Sequence, residues 1–289
     1  MLTLQIQRYE FSARSPLRFH RLIPSVTLRG AFGYALAQVL ARDSGVEDLS
    51  SQVMLYKHLF KPENDGNYPQ VQNQDVARHY QMRGWYSRPD HCSFLLDLTL
   101  FGRGGECARL FHYVMEVMAN MGVGGNRQEC QCLLVSSREV QPQAPAYDGG
   151  DLAVQFVTPC NRLSYRRQCF EKEVPFAPLI LRLAARLREL DALYGDGTLD
   201  IGLDWRELEE RALQVGHLKV TGGRMAAERM STRSLHVQRI GGFVGEMRYR
   251  GDFQPFLPLL AYLPYVNVGH FNEGGCGWCR MQFVKEEER

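Results

Sequence analysis

The amino-acid sequence predicts an α+β fold made of two tandem ferredoxin-like βαββαβ units with antiparallel sheets. Three observations carry this prediction: several short segments alternate apolar and polar residues, the segments between them have helical periodicity, and the same order of elements occurs twice. The 289 residues suit two domains that each bury a core. We place the domains at residues 1–145 and 151–289.

The first half is predicted to contain, in order, a strand, a helix, further strands, a second helix and a final strand. Residues 2–11 alternate as a strand, and residues 28–42 have the periodicity of a helix that Thr27 or Ser25 would cap. A loop-rich section is expected after this helix. The remaining predicted elements are a strand at 92–101, an amphipathic helix at 106–121 and a strand at 130–140.

The second half repeats this pattern after a linker at 141–150, which is rich in proline and glycine. A strand at 152–158 precedes a long helix at 175–194, which has proline near its start and Gly195 after its end. The remaining predicted elements are a helix at 204–214, strands at 215–221, 232–240 and 242–249, a helix at 253–262 and a final strand at 276–284.

Several functional classes are disfavoured by what the sequence lacks. It has no G-x-x-x-x-G-K-[ST] string, and its glycine cluster at 122–125 follows an apolar helical run rather than a strand, which argues against an NTPase or a Rossmann dehydrogenase. No apolar run approaches the roughly 20 residues that span a bilayer, and the first residues alternate as a strand. We therefore expect a soluble, cytoplasmic protein with no membrane association.

The eight cysteines are scattered rather than arranged as two CxxC pairs at zinc-finger spacing, so we expect no metal site and no cofactor. Cys276 and Cys279 do form one CxxC sequence. It leads into a predicted strand rather than lying between a strand and a helix, which disfavours a thioredoxin-like redox role. We expect free thiols, as is usual in a reducing cytosol.

Glycines are dense at 267–278, just before the last predicted strand. Such loops allow positive φ and close approach of a partner, and exposed N–H groups in them can form a nest for phosphate oxygens. This interpretation makes Gly269, His270, Gly275 and Gly277 candidate contacts to a polyanionic ligand. The alternative is that the glycines only form a tight turn at a sheet edge.

Arginine outnumbers lysine by 29 to 5, although the net charge is only +2. Arginine binds phosphate bidentately and stacks on bases, whereas lysine is a flexible point charge. One cluster combines Arg162, Arg166 and Arg167 with Tyr165, which offers phosphate contact and stacking together. A second basic region, residues 224–250, has six arginines against two glutamates, and its candidate RNA contacts are Arg233, His236 and Arg239. Surface arginines paired with nearby glutamates are the alternative for this region.

Five segments occur in the order seen in CRISPR precursor-RNA processing endoribonucleases of the RAMP superfamily. They are 28–36 (LRGAFGYAL), 55–60 (LYKHLF), 156–159 (FVTP), 231–233 (STR) leading to 241–245 (GGFVG), and 269–277 (GHFNEGGCG). The chain resembles this family along nearly its full length. The resemblance implies tandem RRM-like, ferredoxin-like domains, in agreement with the pattern of elements.

The resemblance also implies an activity. Such proteins bind a CRISPR repeat RNA, often a stem-loop, and cleave at the base of the stem without a metal ion. The upstream 2′-hydroxyl attacks the adjacent phosphorus, which leaves a 2′,3′-cyclic phosphate and a 5′-hydroxyl. We expect the chain to mature precursor guide RNA in this way and to stay on its product beside other subunits of an effector complex.

The family usually performs its proton transfers with a histidine near the first helix, helped by tyrosine, lysine or arginine. This sequence departs from that pattern, because His20 precedes the helix and His58 follows well beyond it. We take His20 as the catalytic candidate, with a solvated loop histidine as the alternative, and interpret His58 as structural. The resemblance suggests Arg29 for neutralising the phosphorane and Tyr34 for positioning, although Tyr34 could instead belong to the core.

Two rival functions remain open. A non-catalytic RNA-binding subunit of the same superfamily is favoured by the missing helix histidine. An unrelated enzyme or interaction module with paired ferredoxin-like units would require the arginine clusters and glycine turns to be incidental. RNA cleavage separates the first two functions, and tight, salt-sensitive binding to a repeat hairpin separates both from the third.

Overall fold

The computed structural model describes residues 2–43, 49–60, 62, 76–160, 163–165, 168–170, 172–230 and 237–285. The chain divides into two compact units. Unit 1 consists of Met1–Gln141 with Arg188–Leu199, and unit 2 consists of Pro142–Leu187 with Asp200–Arg289. The domains expected at 1–145 and 151–289 differ from this division mainly at Arg188–Leu199, and their boundaries stay a prediction.

Unit 1 contains a four-stranded antiparallel sheet with the order β2-β3-β1-β4. Its strands are β1 (Leu4–Ser12), β2 (Tyr80–Tyr86), β3 (Ser93–Phe101) and β4 (Gln131–Val140). Helices α1 (Pro24–Asp43) and α2 (Leu49–Phe60) connect β1 to β2, and α3 (Ala108–Met121) connects β3 to β4. This connectivity and strand order are those of a ferredoxin-like unit.

The core of unit 1 lies between its sheet and helices α1 and α3. Alternate residues of β1, such as Tyr9 and Phe11, point into this core because side chains on a strand alternate between its two faces. Phe32 of α1 meets Phe111 of α3 edge to face, with 5.0 Å between ring centroids. The apolar faces of the two helices are thereby buried together.

Unit 2 has the corresponding sheet, with the order β12-β5-β11-β8 and antiparallel neighbours. Its sheet strands are β5 (Asp151–Cys160), β8 (Gly216–Met225), β11 (Gly242–Arg250) and β12 (Cys279–Val284). Two short hairpins are inserted, one from β6 (Leu163–Tyr165) and β7 (Gln168–Phe170), the other from β9 (Glu228–Met230) and β10 (Val237–Arg239). The predicted tandem ferredoxin-like α+β fold is thus confirmed.

The helices of unit 2 are unequal in length. They are α4 (Phe176–Tyr194), whose last residues belong to unit 1, α5 (Trp205–Ala212) and the four-residue α6 (Leu257–Leu260). Helix α5 begins where the sequence indicates, because the Asp204 side chain accepts a hydrogen bond from Glu207 N at 2.8 Å. None of the helices in the described residues combines the length and apolar character needed to cross a membrane.

Several predicted elements need correction. Helix α1 begins at Pro24 rather than at residue 28, so Ser25 and Thr27 lie inside the helix and neither caps it. Proline is favoured in a first helical turn, where its missing N–H costs nothing. The section expected to be loop-rich contains α2 and β2. Strand β2 does not show the alternation of apolar and polar residues that predicts a strand, because polar Gln81 and Arg83 are buried beside its apolar residues.

Smaller differences occur near the C-terminus. The strand expected at 232–240 includes β10, while residues 231–236 lie outside the described residues. The helix expected at 253–262 is a 3-10 turn (Gln254–Phe256) followed by α6. The last strand begins at Cys279 rather than at residue 276, because the preceding residues belong to the glycine loop described below.

Candidate functional site

His20 lies in the segment that leads from β1 into α1, where it organises the start of the helix. Its Nδ1 accepts hydrogen bonds from Leu22 N at 3.3 Å and Ile23 N at 3.2 Å. Its own backbone N–H donates to Thr27 Oγ1 at 3.1 Å. The imidazole therefore holds the backbone just before α1, and the backbone of His20 binds Thr27 in the first turn of the helix.

These hydrogen bonds fix the chemical form of His20. A ring nitrogen that accepts two N–H donors has no proton, so the neutral ring has its proton on Nε2. A base acting through Nε2 would need the other tautomer and would have to give up both bonds. In this conformation Nδ1 supports the backbone that precedes α1, and a catalytic role for His20 stays a prediction.

Arg29 lies on α1 but faces the protein interior. The residue is 7% exposed, and its guanidinium carbon stands 4.6 Å from the centroid of the Phe60 ring. One turn later, Gly33 leaves room for the same ring, since a Cβ there would lie 2.4 Å from Phe60 Cζ. Arg29 thus joins α1 to α2 through a cation–π contact. The expectation that it faces a phosphate is not met in this arrangement.

Tyr34 is the most accessible of the three catalytic candidates. It is 61% exposed on α1, so the alternative of a core tyrosine is wrong. It shares one exposed strip of the helix with Gly30, Ala37 and Ala41, because these residues are spaced by three or four positions. Tyr34 and Arg29 are five residues apart and project from different sides of α1.

The candidate RNA-binding residues of the second half are described only in part. Arg162, Arg166, Arg167, Arg233 and His236 lie outside the described residues, and for Tyr165 only its place at the end of β6 is described. Arg239 lies in β10, where its side chain is 81% exposed and its Nε is 3.8 Å from Glu228 Oε1. This contact agrees with the alternative that surface arginines of this region pair with nearby glutamates, although most of the Arg239 side chain faces solvent.

The glycine loop, residues 267–278, is a buried part of unit 2. Gly277 N donates to Pro159 O at 2.9 Å, and Val268 N donates to Gly277 O at 3.0 Å. The Thr158 hydroxyl donates to Gly275 O at 2.7 Å and accepts from Trp278 N at 2.9 Å. The bonds to Thr158 and Pro159 attach the loop to the end of β5.

The loop does not form the expected nest of exposed N–H groups at these positions. The N–H groups of Gly274, Gly275, Cys276, Gly277 and Trp278 all donate within the chain. Gly275 and Gly277 are needed for backbone conformation, since their φ angles are 97° and 73°.

Gly269 is likewise buried with a φ of 107°, whereas His270 beside it is exposed. Of the four loop residues proposed to contact RNA, His270 is the one whose side chain is accessible.

Burial shifts the pKa of one histidine and of several cysteines outside these candidates. It lowers the pKa of His79 to about 4, with a smaller contribution from the nearby His58. It raises the pKa of the Cys130, Cys132 and Cys160 thiols to about 12, so these cysteines are poor nucleophiles at neutral pH. All eight cysteines are free thiols, and both cysteines of the CxxC sequence are buried.

Comparisons with known proteins agree with this fold. The family model AF_1859_N, an N-terminal domain, matches residues 2–158, and the model of the CRISPR-associated endoribonuclease Cas6 matches residues 154–279. A search of curated protein sequences found no match. Among solved structures, the chain is similar to a Cas6 (TTHB231) product complex, with a TM-score of 0.53 and 13% identity over 98% of this chain and 100% of that one.

The resemblance noted from five sequence segments is therefore confirmed by independent comparison. Both units of the chain have the ferredoxin-like connectivity, and the Cas6 model covers most of unit 2. Residues 154–279 thus match the model of the CRISPR-associated endoribonuclease Cas6, and the whole chain shares the fold of a solved Cas6 structure.

Proposed function

We propose that the chain binds CRISPR repeat RNA and cuts precursor guide RNA by metal-independent transesterification. The 2′-hydroxyl loses its proton, O2′ bonds to the adjacent phosphorus, and the P–O5′ bond breaks as O5′ gains a proton. The products are a 2′,3′-cyclic phosphate and a 5′-hydroxyl. We further propose that the protein retains the product as a subunit of an effector complex.

The exposed strip of α1 is the observation that supports this proposal best. Tyr34 stands near its middle, and within the described residues its hydroxyl makes no hydrogen bond. One turn earlier, nothing lies within 4 Å of the position of a Cβ on Gly30. An RNA strand could therefore approach the helix closely, and the phenol could donate a hydrogen bond to a phosphate oxygen.

In this proposal the other two candidates act indirectly. Arg29 holds α1 against Phe60, and His20 holds the backbone that leads into α1, so both affect where Tyr34 lies. They are positioning residues for the exposed strip. The arginines at 162, 166, 167, 233 and 239, with Tyr165, His236 and His270 of the glycine loop, are proposed to hold the RNA itself.

Incubation with repeat RNA in EDTA tests the reaction. The substrates are a repeat RNA from the source genome and the same RNA with a 2′-deoxy nucleotide upstream of the scissile phosphate. Cleavage of only the unmodified RNA, with a cyclic phosphate on the upstream product, is the expected result. Cutting of both RNAs, or a need for added metal ion, would contradict the mechanism.

The Tyr34→Phe variant tests the role of the hydroxyl. We expect roughly a 10- to 100-fold slower cleavage step at saturating RNA and an unchanged melting temperature, because the hydroxyl makes no described contact in the fold. Tyr113→Phe on α3 is the matched control and should cleave at the normal rate. Equal rates for both variants would remove Tyr34 from the site.

Two variants of His20 separate positioning from proton transfer. Asparagine offers a side-chain acceptor for the N–H groups of Leu22 and Ile23, whereas alanine offers none. We expect His20→Asn to cleave within about threefold of the normal rate and His20→Ala to lose both stability and rate. If both variants lost activity equally while His20→Asn kept its stability, His20 would be an acid–base catalyst.

A non-catalytic RNA-binding subunit is the second candidate function. It is favoured by two contacts: the His20 Nδ1 binds the backbone N–H groups of Leu22 and Ile23, and Arg29 packs on Phe60 rather than facing solvent. Tight, salt-sensitive binding of the repeat RNA without cleavage in the same assay would support it. Product retention is tested separately, by whether turnover stops after one equivalent of RNA is cut.

A further inference from the structure

We propose that one end of unit 1 is an RNA-binding surface that contacts the phosphate backbone. The surface, called here the basic end, consists of the segment 13–21 and the turns at 87–92 and 122–129. These lie where β1 and β2 finish and β3 and β4 begin. The inference rests on the proposed function and adds a contact surface to it.

The segment 13–21 is held on one side by the β2–β3 turn. Leu17 N donates to His91 O at 2.9 Å, and Ala13 N donates to Cys92 O at 2.9 Å. The Tyr86 hydroxyl donates to Leu17 O at 2.9 Å and accepts from Phe19 N at 3.1 Å. The segment therefore has a defined course, although it contains no helix or strand.

The turn at 122–129 holds the same segment on its other side. Gly125 N donates to Arg18 O at 2.7 Å, and Asn126 Nδ2 donates to Pro16 O at 3.3 Å. The Ser15 hydroxyl donates to Gln128 Oε1 at 2.8 Å. Three segments that are far apart in sequence are thereby joined into one surface.

This surface is strongly basic. It has five arginines against two carboxylates, Asp90 and Glu129. The exposed members Arg14, Arg18, Arg21 and Arg127 make no ion pair with any described residue, whereas Arg88 pairs with Asp90 at 2.9 Å. Four exposed guanidinium groups with no carboxylate partner in the described part of the chain form the kind of surface that binds a polyanion.

The backbone of the two turns is strained where it meets the segment. His91 and Arg127 have φ angles of 59° and 46°, which non-glycine residues seldom adopt. The exposed His91 ring stacks on Tyr86, with 4.0 Å between centroids and 16° between planes. Strained backbone of this kind is commonest at functional sites, where holding a side chain in one direction serves binding or catalysis.

The chemistry of the surface favours nucleic acid over a protein partner. Large apolar side chains in the three segments are buried or half-buried, so the surface lacks the exposed apolar anchors of protein interfaces. A guanidinium group can bind two oxygens of one phosphate at once. Phosphate contacts of this kind position an RNA on the protein without recognising its sequence. The segment 13–21 continues into α1, which carries Tyr34.

A pair of double variants of the full-length protein tests the inference. The double variant Arg18→Gln, Arg127→Gln removes two charges from the basic end. Glutamine is chosen because its backbone preferences are similar to those of arginine. Arg103→Gln with Arg109→Gln is the control, because these exposed residues follow β3 at the opposite end of the same sheet. The binding of a labelled repeat RNA is measured by fluorescence anisotropy at several salt concentrations.

We expect the basic-end variant to bind about tenfold more weakly near physiological salt. The negative slope of log K against log salt should become less steep by about 1.4 to 1.8, which is roughly 0.7 to 0.9 for each lost phosphate contact. The control should change affinity less than twofold and keep its slope. Melting temperatures verify folding, and Arg14→Gln with Arg21→Gln replaces the test pair if that pair unfolds.

Equal effects of the two double variants, or no effect of either, would overturn the inference even if the protein cuts its RNA normally. Failure of the wild-type protein to bind repeat RNA would overturn it as well. Wild-type binding without cleavage would contradict the proposed reaction alone, because the loss of affinity at the basic end could still be measured.

Discussion

The two ferredoxin-like units share a strand order but complete their second crossover differently. In unit 1 the 14-residue helix α3 connects β3 to β4 and buries its apolar face in the core. In unit 2 the four-residue α6 and the glycine loop connect β11 to β12. A helix satisfies its backbone internally, whereas the loop depends on named partners such as Thr158 and Pro159. Glycines whose density in the sequence indicates a ligand-binding loop can therefore serve the backbone conformation instead.

The largest expected effect comes from adding one methyl group to the glycine loop. At Gly277 a Cβ would lie 1.7 Å from Val268 O, and the φ of 73° is unfavourable for alanine. We expect Gly277→Ala to lower the free energy of unfolding by about 4 kcal/mol. Gly216→Ala in β8 is the control, since nothing lies within 4 Å of its Cβ position. Similar denaturant midpoints for the two variants would show that the loop is not a structural requirement of unit 2.

Unit 1 should in contrast be sensitive to acid. Because burial lowers the pKa of His79 to about 4 from its usual 6.5, the unfolded chain binds the extra proton first as pH falls. The contribution of neutral His79 to the free energy of unfolding is fully present above about pH 6.5, and about 3 kcal/mol of it is lost as the pH falls to 4. His79→Phe, whose ring would stack on Phe111, should lose correspondingly less in urea titrations at several pH values. Parallel pH profiles for the two proteins would rule out this origin of acid sensitivity.

A smaller effect is expected where the glycine loop meets β5. Thr158→Val removes the hydroxyl that binds both Gly275 O and Trp278 N, and we expect a loss of about 2 kcal/mol. Thr158→Ser keeps the hydroxyl and should recover most of this loss in thermal unfolding. Were serine no better than valine, the methyl packing rather than the hydrogen bonds would hold the loop.

The smallest change in stability is expected from a variant on α1, and it should be an increase rather than a loss. Gly30→Ala should raise stability by about 1 kcal/mol, because alanine favours a helix and nothing occupies the space of the added methyl. The same methyl stands one turn from Tyr34, so RNA affinity should fall if a strand approaches the strip closely. Higher melting temperature with unchanged affinity would place the RNA elsewhere.

The alternation of apolar residues and the helical periodicity by themselves determined the tandem α+β fold, because both are local properties of the chain. The five ordered segments likewise indicated the family. Strand β2 could not be recognised, since burial of Gln81 and Arg83 depends on tertiary surroundings.

The roles of single residues were decided only by the tertiary structure. His20 binds the backbone just before α1, Arg29 packs on Phe60, and N–H groups of the glycine loop donate to acceptors within the chain. The basic end joins three segments that are distant in sequence. Partners of this kind come from other parts of the chain, and no local pattern of residues specifies which side chain will meet which surface.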